Sequence, residues 1–533
     1  MQNNKLIKRV GLFFGLWVIS HGLVFAEFKL PNSANRLPDL SLDPIKNNRK
    51  SDKPVNSQAE PMINETDADT SIIEENQQTL DESPVEIPEE ILEEIPVEMP
   101  SLDEVNTEVN TIEPPTSEVE PMPLLKQDDS SPYSYSLFLD VDYIYKASGG
   151  AQTAMSMGGD MNGNDDMANS TPPSASAYVY LLHFYGEYDT AKARWWNNGT
   201  FVAHAIYGGG DSPTNTVGDL RSVSNIDASF MGLDGNRLMP GLDILELWYE
   251  HRFPYNKSSV RLGIGYLSSD FYKSNYTGLF LTSGIGSIGT EILWNTMASN
   301  PPNTTLGLWY KTSITENVSW QSVAFDGFPD HSTNPIAVKL NKDEGVFTAT
   351  ELAWLQGTAK QKGYFKFGLG AWYLKQNMVK IMQDTMMVGY DNYEGPKVAG
   401  TGGMYAVIDK AFGDKLGIFF KGGRAAEGIN KYSQYFTTGV VYKGLLKSRP
   451  NDIIGAAVVQ SKLSDDYINA NGTDEQGELN SFTQETIYEL TYSVQINNWL
   501  MLQPDIQYVL QPGMNSMNDA ALVFLIRAEF TLY

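Results

Sequence analysis

Four side chains at alternate positions of the segment 244–253, ILELWYEHRF, combine three charges with an aromatic ring. Because successive side chains of an extended strand point to opposite faces, Glu246, Trp248, Glu250 and Arg252 share one face. Carboxylates and a guanidinium hydrogen-bond hydroxyl groups, and an indole ring packs against an apolar surface. This face is therefore suited to contact with a polar solute.

Motifs for covalent, metal or nucleotide chemistry are not found in the sequence. The five histidines (His21, His183, His204, His251 and His331) form no metal-ligand spacing, and no nucleophile elbow occurs. The match to G-x-G-x-x-G at 284–289 has no surrounding βαβ unit, so we interpret it as a Gly-rich turn in a strand-and-turn region. Loop 158–169 carries three aspartates without EF-hand spacing and is interpreted as a surface loop. We expect no metal, no cofactor and no enzymatic activity.

The composition excludes several classes of protein. The chain has 533 residues, is 41% hydrophobic and 19% charged, and has a mean hydropathy of -0.29. No run of eighteen apolar residues follows the first thirty positions, which excludes a polytopic helical membrane protein. A net charge of -27 argues against a nucleic-acid partner, and the absence of cysteine excludes disulfides and thiolate metal sites.

The charge is unevenly distributed, and it divides the chain into three parts. Residues 1–26 have a basic start and a short apolar run, which predicts a signal peptide cut after Ala26. Residues 27–132 are Pro-rich and acidic, with 23 acidic residues against two lysines from position 51 onwards, and are predicted to be disordered. The body, 133–533, holds 39 acidic and 28 basic residues.

The body alternates apolar and polar residues with period two. Windows 244–253, 487–496 and 522–532 show the pattern over about ten residues each, and the first of them ends in the aromatic Phe253. A large soluble β-sandwich or propeller would also alternate, but its strands are usually shorter. The pattern favours an all-β outer-membrane barrel with a polar interior. At about 25 residues per strand and connection, the body gives about sixteen antiparallel strands, enough for an aqueous channel.

Ordered motifs from 178 to 533 resemble the carbohydrate-selective porins of the OprB family. They are YDT (188–190), GTF (199–201), GDL (218–220), VSNI (223–226), ELWYE (246–250), GLFL (278–281), GMYAV (403–407) with Asp409, GL (444–445), RPND (449–452), LQPDIQYV (502–509) and PG (512–513). The resemblance implies a sixteen-stranded barrel that passes monosaccharides, above all glucose-like sugars, through a constriction of charged and aromatic side chains. The family has a basic pore pattern, whereas this body is net acidic, so we expect a preference for neutral sugars.

The alternation also predicts which side chains face the lumen. Besides the 246–252 face, the inward candidates are Arg261, Lys366, Trp372, Lys421, Glu489, Gln495, Gln503, Asp505, Gln507, Arg527 and Glu529, while Arg194 and Arg221 are expected to reach in from loops. Each is either part of the substrate path or an ordinary charge that hydrates the wall. Pro504 lacks a backbone donor, which predicts a bulge or a strand end there.

Several functions remain open at this point. The leading one is passive diffusion of small neutral sugars across a bacterial outer membrane, with membrane lipids and the barrel assembly machinery as partners and an oligomer not excluded. The alternatives are a general small-solute porin, and a barrel anchor whose acidic N-terminal segment, on the periplasmic side, binds an envelope partner. A lipid-face hydrolase would need His251, which the alternation places on the apolar face as an interfacial side chain.

Overall fold

A computed structural model of the chain describes residues 130–151, 175–228, 241–327, 345–357, 363–379, 397–471 and 482–532. The predicted signal peptide, nearly all of the acidic segment 27–132, and loop 158–169 lie outside these ranges. Among the helices in the described ranges, none has the length and apolar composition needed to cross a membrane.

Sixteen antiparallel strands form a closed barrel. They are β1 (Tyr133–Gly150), β2 (Ser176–Asp189), β3 (Gly199–Gly210), β4 (Gly241–Phe253), β5 (Ser258–Gly265), β6 (Thr305–Ser313), β7 (Val318–Asp326), β8 (Val346–Gln356), β9 (Phe365–Lys375), β12 (Thr401–Phe412), β13 (Leu416–Ala425), β14 (Tyr432–Lys443), β15 (Ile453–Leu463), β16 (Gln484–Asn497), β17 (Leu500–Leu510) and β18 (Asp519–Thr531); a separate hairpin pairs β10 (Met378–Val379) with β11 (Lys397–Val398). Every barrel strand pairs with its neighbours in sequence, and β1 closes on β18. The predicted fold and strand number are confirmed.

The alternation in sequence becomes an alternation of burial. In β17, Gln503, Asp505 and Gln507 are buried, whereas Ile506 and Tyr508 are exposed on the outer surface. Exposed aromatic side chains form a band near each end of the barrel (Tyr133, Trp195, Tyr255 and Trp499 at one end; Tyr143, Tyr145, Tyr178 and Tyr207 at the other). Such bands are typical of barrels whose ends lie at the two membrane interfaces.

Two local predictions are wrong. Strict alternation along 244–253 predicts Leu245 on the face opposite Glu246, with Leu247 and Tyr249 on the outside of β4. This prediction fails because the β3–β4 register shifts between His204 and Ala205, which turns Leu245 into the barrel, where it is buried. A bulge or strand end at Pro504 is not found. The strand β17 continues through Pro504, which pairs with Ile526 of β18, and its register with β16 is the same on both sides of the proline.

The connections at the two ends differ in length. Short turns join strands at the end where β1 begins, for example at Gly413, whose φ of +73° suits a tight turn. A short turn at this end, between β4 and β5, contains a 3₁₀ turn at Pro254–Asn256. Longer connections at the other end carry α1 (Pro213–Val217), α2 (Asn225–Ala228), α3 (Ser283–Gly286), α4 (Thr290–Thr296), α5 (Asp465–Asn471) and 3₁₀ turns at Leu267–Ser269, Thr277–Leu279 and Pro512–Met514. Residues 284–289 thus lie in α3 and in the short link from α3 to α4, not among strands as predicted.

The connection between β5 and β6, residues 266–304, is called the inner segment below. Its apolar residues Phe271, Phe280, Ile285 and Ile292 are buried and belong to the same cluster as inward side chains of the barrel wall. The largest apolar core of the described chain therefore lies inside the barrel, between the inner segment and the wall. The inner segment narrows the lumen.

Candidate functional site

Buried carboxylates of the wall hold the inner segment by its backbone N–H groups. Glu489 of β16 accepts hydrogen bonds from the N–H of Leu281 at 2.5 Å and from the N–H of Thr282 at 3.2 Å. Glu351 of β8 accepts one from the N–H of Tyr272 at 3.0 Å. Hydrogen bonds to a carboxylate are among the stronger ones in proteins, so these contacts fix two separate points of the segment.

Lysines of the wall hold the same segment by its carbonyl groups. Lys421 of β13 donates to the carbonyl oxygens of Ile285 at 3.1 Å and Ser287 at 2.6 Å, and it is fully buried. Lys366 of β9 donates to the carbonyl oxygen of Lys273 at 2.6 Å. Both lysines face inward as predicted, and the structure places their ammonium groups on the backbone of the inner segment.

Amide side chains of β17 complete the attachment. Gln503 donates to the carbonyl oxygen of Leu279 at 2.7 Å, and Gln507 donates to that of Val223 at 2.8 Å in the β3–β4 connection. Asp505, between them on the same face, accepts a hydrogen bond from Gln507 at 2.9 Å. The predicted inward residues of β17 thus position two connections, whose backbone polar groups would otherwise be buried without partners.

Arg221 joins these two connections to each other. Its guanidinium donates to the carbonyl oxygens of Ile288 at 3.0 Å and Ser283 at 3.3 Å. Burial lowers the pKa of Arg221, with Tyr435 and Glu291 opposing the shift. This arginine reaches into the barrel from a loop, as predicted, and it ends on the inner segment.

Arg527 lies at the closure of the barrel. Its Nε and Nη2 bind the two carboxylate oxygens of Asp142 at 2.7 and 2.8 Å, and Nη2 also donates to the side chain of Asn225 at 2.6 Å. Arg527 and Asp142 are directly opposite in the β1–β18 register. A bidentate pair of this kind fixes both charges in one geometry.

A second group of inward side chains is less deeply buried and is called the wall cluster: Glu246, Trp248, Glu250, Arg261 and Asp270. The indole N–H of Trp248 donates to Glu246 at 3.1 Å, and the Arg261 guanidinium lies 4.2 Å from the centre of the Trp248 ring. Arg261 also binds Asp270 of the inner segment at 2.7 Å. The side chains of Glu246, Glu250, Arg261 and Asp270 remain 11–16% exposed inside the barrel.

Two lysines extend the wall cluster on its basic side. Burial lowers the pKa of Lys273 to about 8, with Asp270 opposing the shift, and its ammonium donates to the carbonyl oxygen of Ser269 at 2.8 Å. Burial would raise the pKa of Asp270, but Arg261, followed by Lys311 and Lys273, lowers it to about 2. Acidic groups of β4 and basic groups of β5 and β6 therefore lie side by side on the same part of the wall.

The remaining predicted residues lie apart from the wall cluster. Trp372 is fully buried in the apolar core, stacked on Phe347 with ring centres 6.2 Å apart. Arg252 pairs with Glu250 at 3.6 Å, but its side chain is 60% exposed near the turn end. Arg194 is exposed in the turn between β2 and β3 with φ +60°. Neither arginine joins the wall cluster.

Sequence reasoning missed several residues of this site. Glu351 and Lys311 occupy inward positions of β8 and β6, so the alternation extended by a few residues would have found them. Asp409, noted only as part of a motif, accepts hydrogen bonds from Ser274 at 2.6 Å and from the N–H of Asn275 at 2.8 Å. Asp270 and Lys273 lie in an aperiodic connection, where alternation gives no signal.

Comparison with known proteins identifies a family and two relatives. A family model described as carbohydrate-selective porin, OprB family, matches residues 174–532. Porin B of Pseudomonas aeruginosa is 36% identical over 110 residues, which are 19% of this chain and 24% of that protein. The porin candidate QuiX of Acinetobacter baylyi is 27% identical over 305 residues, 52% of this chain and 66% of that protein. Each alignment therefore spans less than two thirds of the relative's own length.

The fold also matches a solved structure. The high-pH structure of OprB from Pseudomonas putida covers 75% of this chain and 94% of that chain, with a TM-score of 0.61 and 19% sequence identity. At that identity the similarity concerns the fold alone.

Proposed function

Since the chain belongs to the carbohydrate-selective porins of the OprB family, we propose that it forms an outer-membrane channel for passive diffusion of monosaccharides such as glucose. The proposed path runs along the wall cluster. Nothing in this proposal requires energy coupling or a chemical step, because solutes move down their own gradients.

One observation carries the proposal: the inward side chains of the wall fall into two groups, one buried against the inner segment and one partly exposed inside the barrel. The inner segment is bound to the wall at β8, β9, β13, β16 and β17, and the anchoring side chains there are buried. The wall cluster on β4 and β5 instead keeps an indole, two carboxylates and a guanidinium partly exposed. Charged groups bind sugar hydroxyls, and an indole packs on the apolar face of a sugar ring.

The lengths of the connections support one orientation in the membrane. Outer-membrane barrels have short periplasmic turns and longer extracellular loops. The short turns lie at the end where β1 begins. We therefore propose that residues 27–132 lie on the periplasmic side, and that the inner segment leaves β5 and returns to β6 at the extracellular end of the barrel. Outer-membrane lipids and the barrel assembly machinery are the partners this location implies.

A sugar-block experiment tests the proposal. The purified chain in planar bilayers at pH 7.5 is expected to give discrete conductance steps that glucose partly blocks. The change Trp248→Ala removes the ring and the support of Arg261, so we expect about 5- to 30-fold weaker block, from about 1 to 2 kcal/mol of ring and cation–π interaction. Ion conductance should change much less.

The matched control is Trp354→Ala, because Trp354 is exposed on the outer face of β8. It should leave the sugar block unchanged. A large conductance that no sugar alters would indicate a general porin instead of a sugar-selective one. Equal loss of sugar block in the Trp248 and Trp354 variants would show that the wall cluster does not line the sugar path.

A further inference from the structure

A groove on the outer surface of the barrel crosses strands β1 to β5 near the end with the short turns. It has a volume of about 570 Å³, within the range of roughly 300 to 1,000 Å³ that is typical of ligand sites. Gly186 of β2 and Ala203 of β3 form its floor and are directly opposite in the register. Larger outward side chains surround this floor (Tyr135, Tyr188, Phe201, Leu247, Tyr249 and Leu262). The groove exists because two small residues are neighbours in a region that otherwise carries large apolar ones.

The floor of the groove is open to the surroundings of the barrel. Tyr135 is opposite Gly186 on one side and Leu247 is opposite Ala203 on the other, so a large side chain stands at each flank. A Cβ atom added to Gly186 would have no heavy atom closer than 4.0 Å apart from its chain neighbours. Neighbouring side chains therefore leave this apolar space unfilled, on the face of the barrel that meets lipid.

The edge of the groove on the side of the turns is polar. The indole N–H of Trp196 donates to the hydroxyl oxygen of Tyr249 at 2.6 Å, and this oxygen lies 2.8 Å from Nδ1 of His251. The ring of Trp195 lies 5.2 Å from that of Tyr188, centre to centre. Indole and phenol rings with one apolar and one polar side are typical of the level at which lipid headgroups lie. The groove thus changes from apolar to polar toward the turns.

The turn between β2 and β3 places two cations beyond this polar edge. Lys192 and Arg194 are both exposed there. The hydroxyl of Thr190 donates to the carbonyl oxygen of Trp196 at 2.6 Å, and the carboxylate of Asp189 accepts the backbone N–H of Lys192 at 3.0 Å. These bonds hold the turn, and with it both cations, next to the groove. An anionic headgroup is attracted to such a position.

We infer that the groove binds an anionic phospholipid, with an acyl chain over Gly186 and Ala203 and the headgroup phosphate beside Lys192 and Arg194. The apolar floor matches the chain and the basic turn matches the phosphate. A second copy of the protein docked by the same face would bring like charges together, which disfavours that occupant. The inference uses the membrane location but goes beyond the channel, because the groove lies outside the lumen.

Native mass spectrometry of the full chain, titrated with phosphatidylglycerol or with phosphatidylcholine, tests the headgroup contact. The wild type should bind one phosphatidylglycerol about 10- to 30-fold more tightly than phosphatidylcholine, since each basic residue beside an anionic lipid contributes about fivefold. In the double variant Lys192→Gln, Arg194→Gln this preference should fall below about threefold, with phosphatidylcholine bound as before. Equal binding of the two lipids by the wild type would overturn the inference.

Gly186→Leu tests the groove itself, because the open space above Gly186 accepts a side chain that then fills it. Binding of both lipids should weaken at least tenfold, and Ala203→Leu should do the same from β3. Ala456→Leu is the matched control, since Ala456 is exposed on the outer face of β15, away from the groove; it should bind lipid as the wild type does. A shift between heated and unheated samples on an SDS gel shows that each variant is folded.

Two results would overturn the inference. One is unchanged phosphatidylglycerol binding in the folded Gly186 and Ala203 variants. The other is a wild-type oligomer that these variants abolish, because a second copy of the chain would then occupy the groove. Sugar block in planar bilayers judges the proposed function separately: it should be the same in Gly186→Leu as in the wild type, since this residue faces away from the lumen.

Discussion

The attachment of the inner segment at Glu489 makes a quantitative prediction. Glu489 accepts two backbone N–H groups, from Leu281 and Thr282, in a buried position. In Glu489→Gln the amide keeps one carbonyl acceptor and turns its NH₂ group toward the second N–H. One hydrogen bond is lost and a buried donor is left unpaired, at a cost of about 2 to 3 kcal/mol.

This cost falls on local opening of the inner segment, not on the barrel. The strand ladders on either side of Glu489 use backbone groups that the substitution leaves intact. Hydrogen exchange measured by mass spectrometry in nanodiscs should therefore accelerate about 30- to 150-fold at the amides of Leu281 and Thr282, since each 1.4 kcal/mol is a factor of ten. Peptides from β12 and β13 should exchange as in the wild type.

Glu316→Gln is the control, because Glu316 is exposed in the turn between β6 and β7. It applies the same chemical change without touching the inner segment, and its exchange should match the wild type throughout. Unchanged exchange at 281 and 282 in the Glu489 variant would refute the reasoning. So would equal acceleration in all strands, because the carboxylate would then support the whole barrel.

Two further predictions concern stability measured by urea unfolding. Burial raises the pKa of Glu291 to about 7, so the folded state binds this proton more tightly than the unfolded state does. The resulting stabilisation of the folded state is complete below about pH 4.5 and is lost as the pH rises through 7. At pH 8.5 Glu291→Gln should therefore have a free energy of unfolding up to about 3 kcal/mol higher than that of the wild type. A difference of the same size at pH 4.5 would contradict this. Arg527→Met leaves the buried Asp142 carboxylate without its partner and should lower the free energy of unfolding by about 3 to 5 kcal/mol. Adding Asp142→Asn should recover part of this loss, whereas strictly additive losses would show that the two side chains do not interact.

The barrel was predictable because its rule is local. Period-two alternation needs no knowledge of distant residues. The windows 244–253, 487–496 and 522–532 accordingly fall within β4, β16 and β18, except for Leu532, which follows the end of β18. The failure at Leu245 also has a local cause. The bulge opposite His204 and Ala205 inserts one residue into β4, and neither strand carries a glycine or proline at that point to signal it.

The role of each inward residue was not predictable from the same rule. Alternation places Lys421, Glu489 and Gln503 inside the barrel correctly, but it cannot tell whether the lumen opposite each holds water or folded chain. That depends on the course of residues 266–304, which no period describes. The indole of Trp248 and its partner Arg261 were found because they lie on adjacent regular strands, at 4.2 Å in space and thirteen positions apart in sequence.

The wall side chains that hold the inner segment form hydrogen bonds with its backbone peptide groups. Glu489 holds N–H groups, and Lys421 and Gln503 hold carbonyl oxygens, so none of these three contacts uses a side chain of the segment they hold. Nearly every amino acid carries the same peptide groups, and proline alone lacks the donor. Lumen-facing side chains of this stretch can therefore be exchanged while the backbone stays in place, whereas the buried Phe271, Phe280, Ile285 and Ile292 belong to the core and are kept. A library randomised at lumen-facing positions of the segment, without proline at 281 and 282, would vary solute preference on a scaffold that does not need to be redesigned each time.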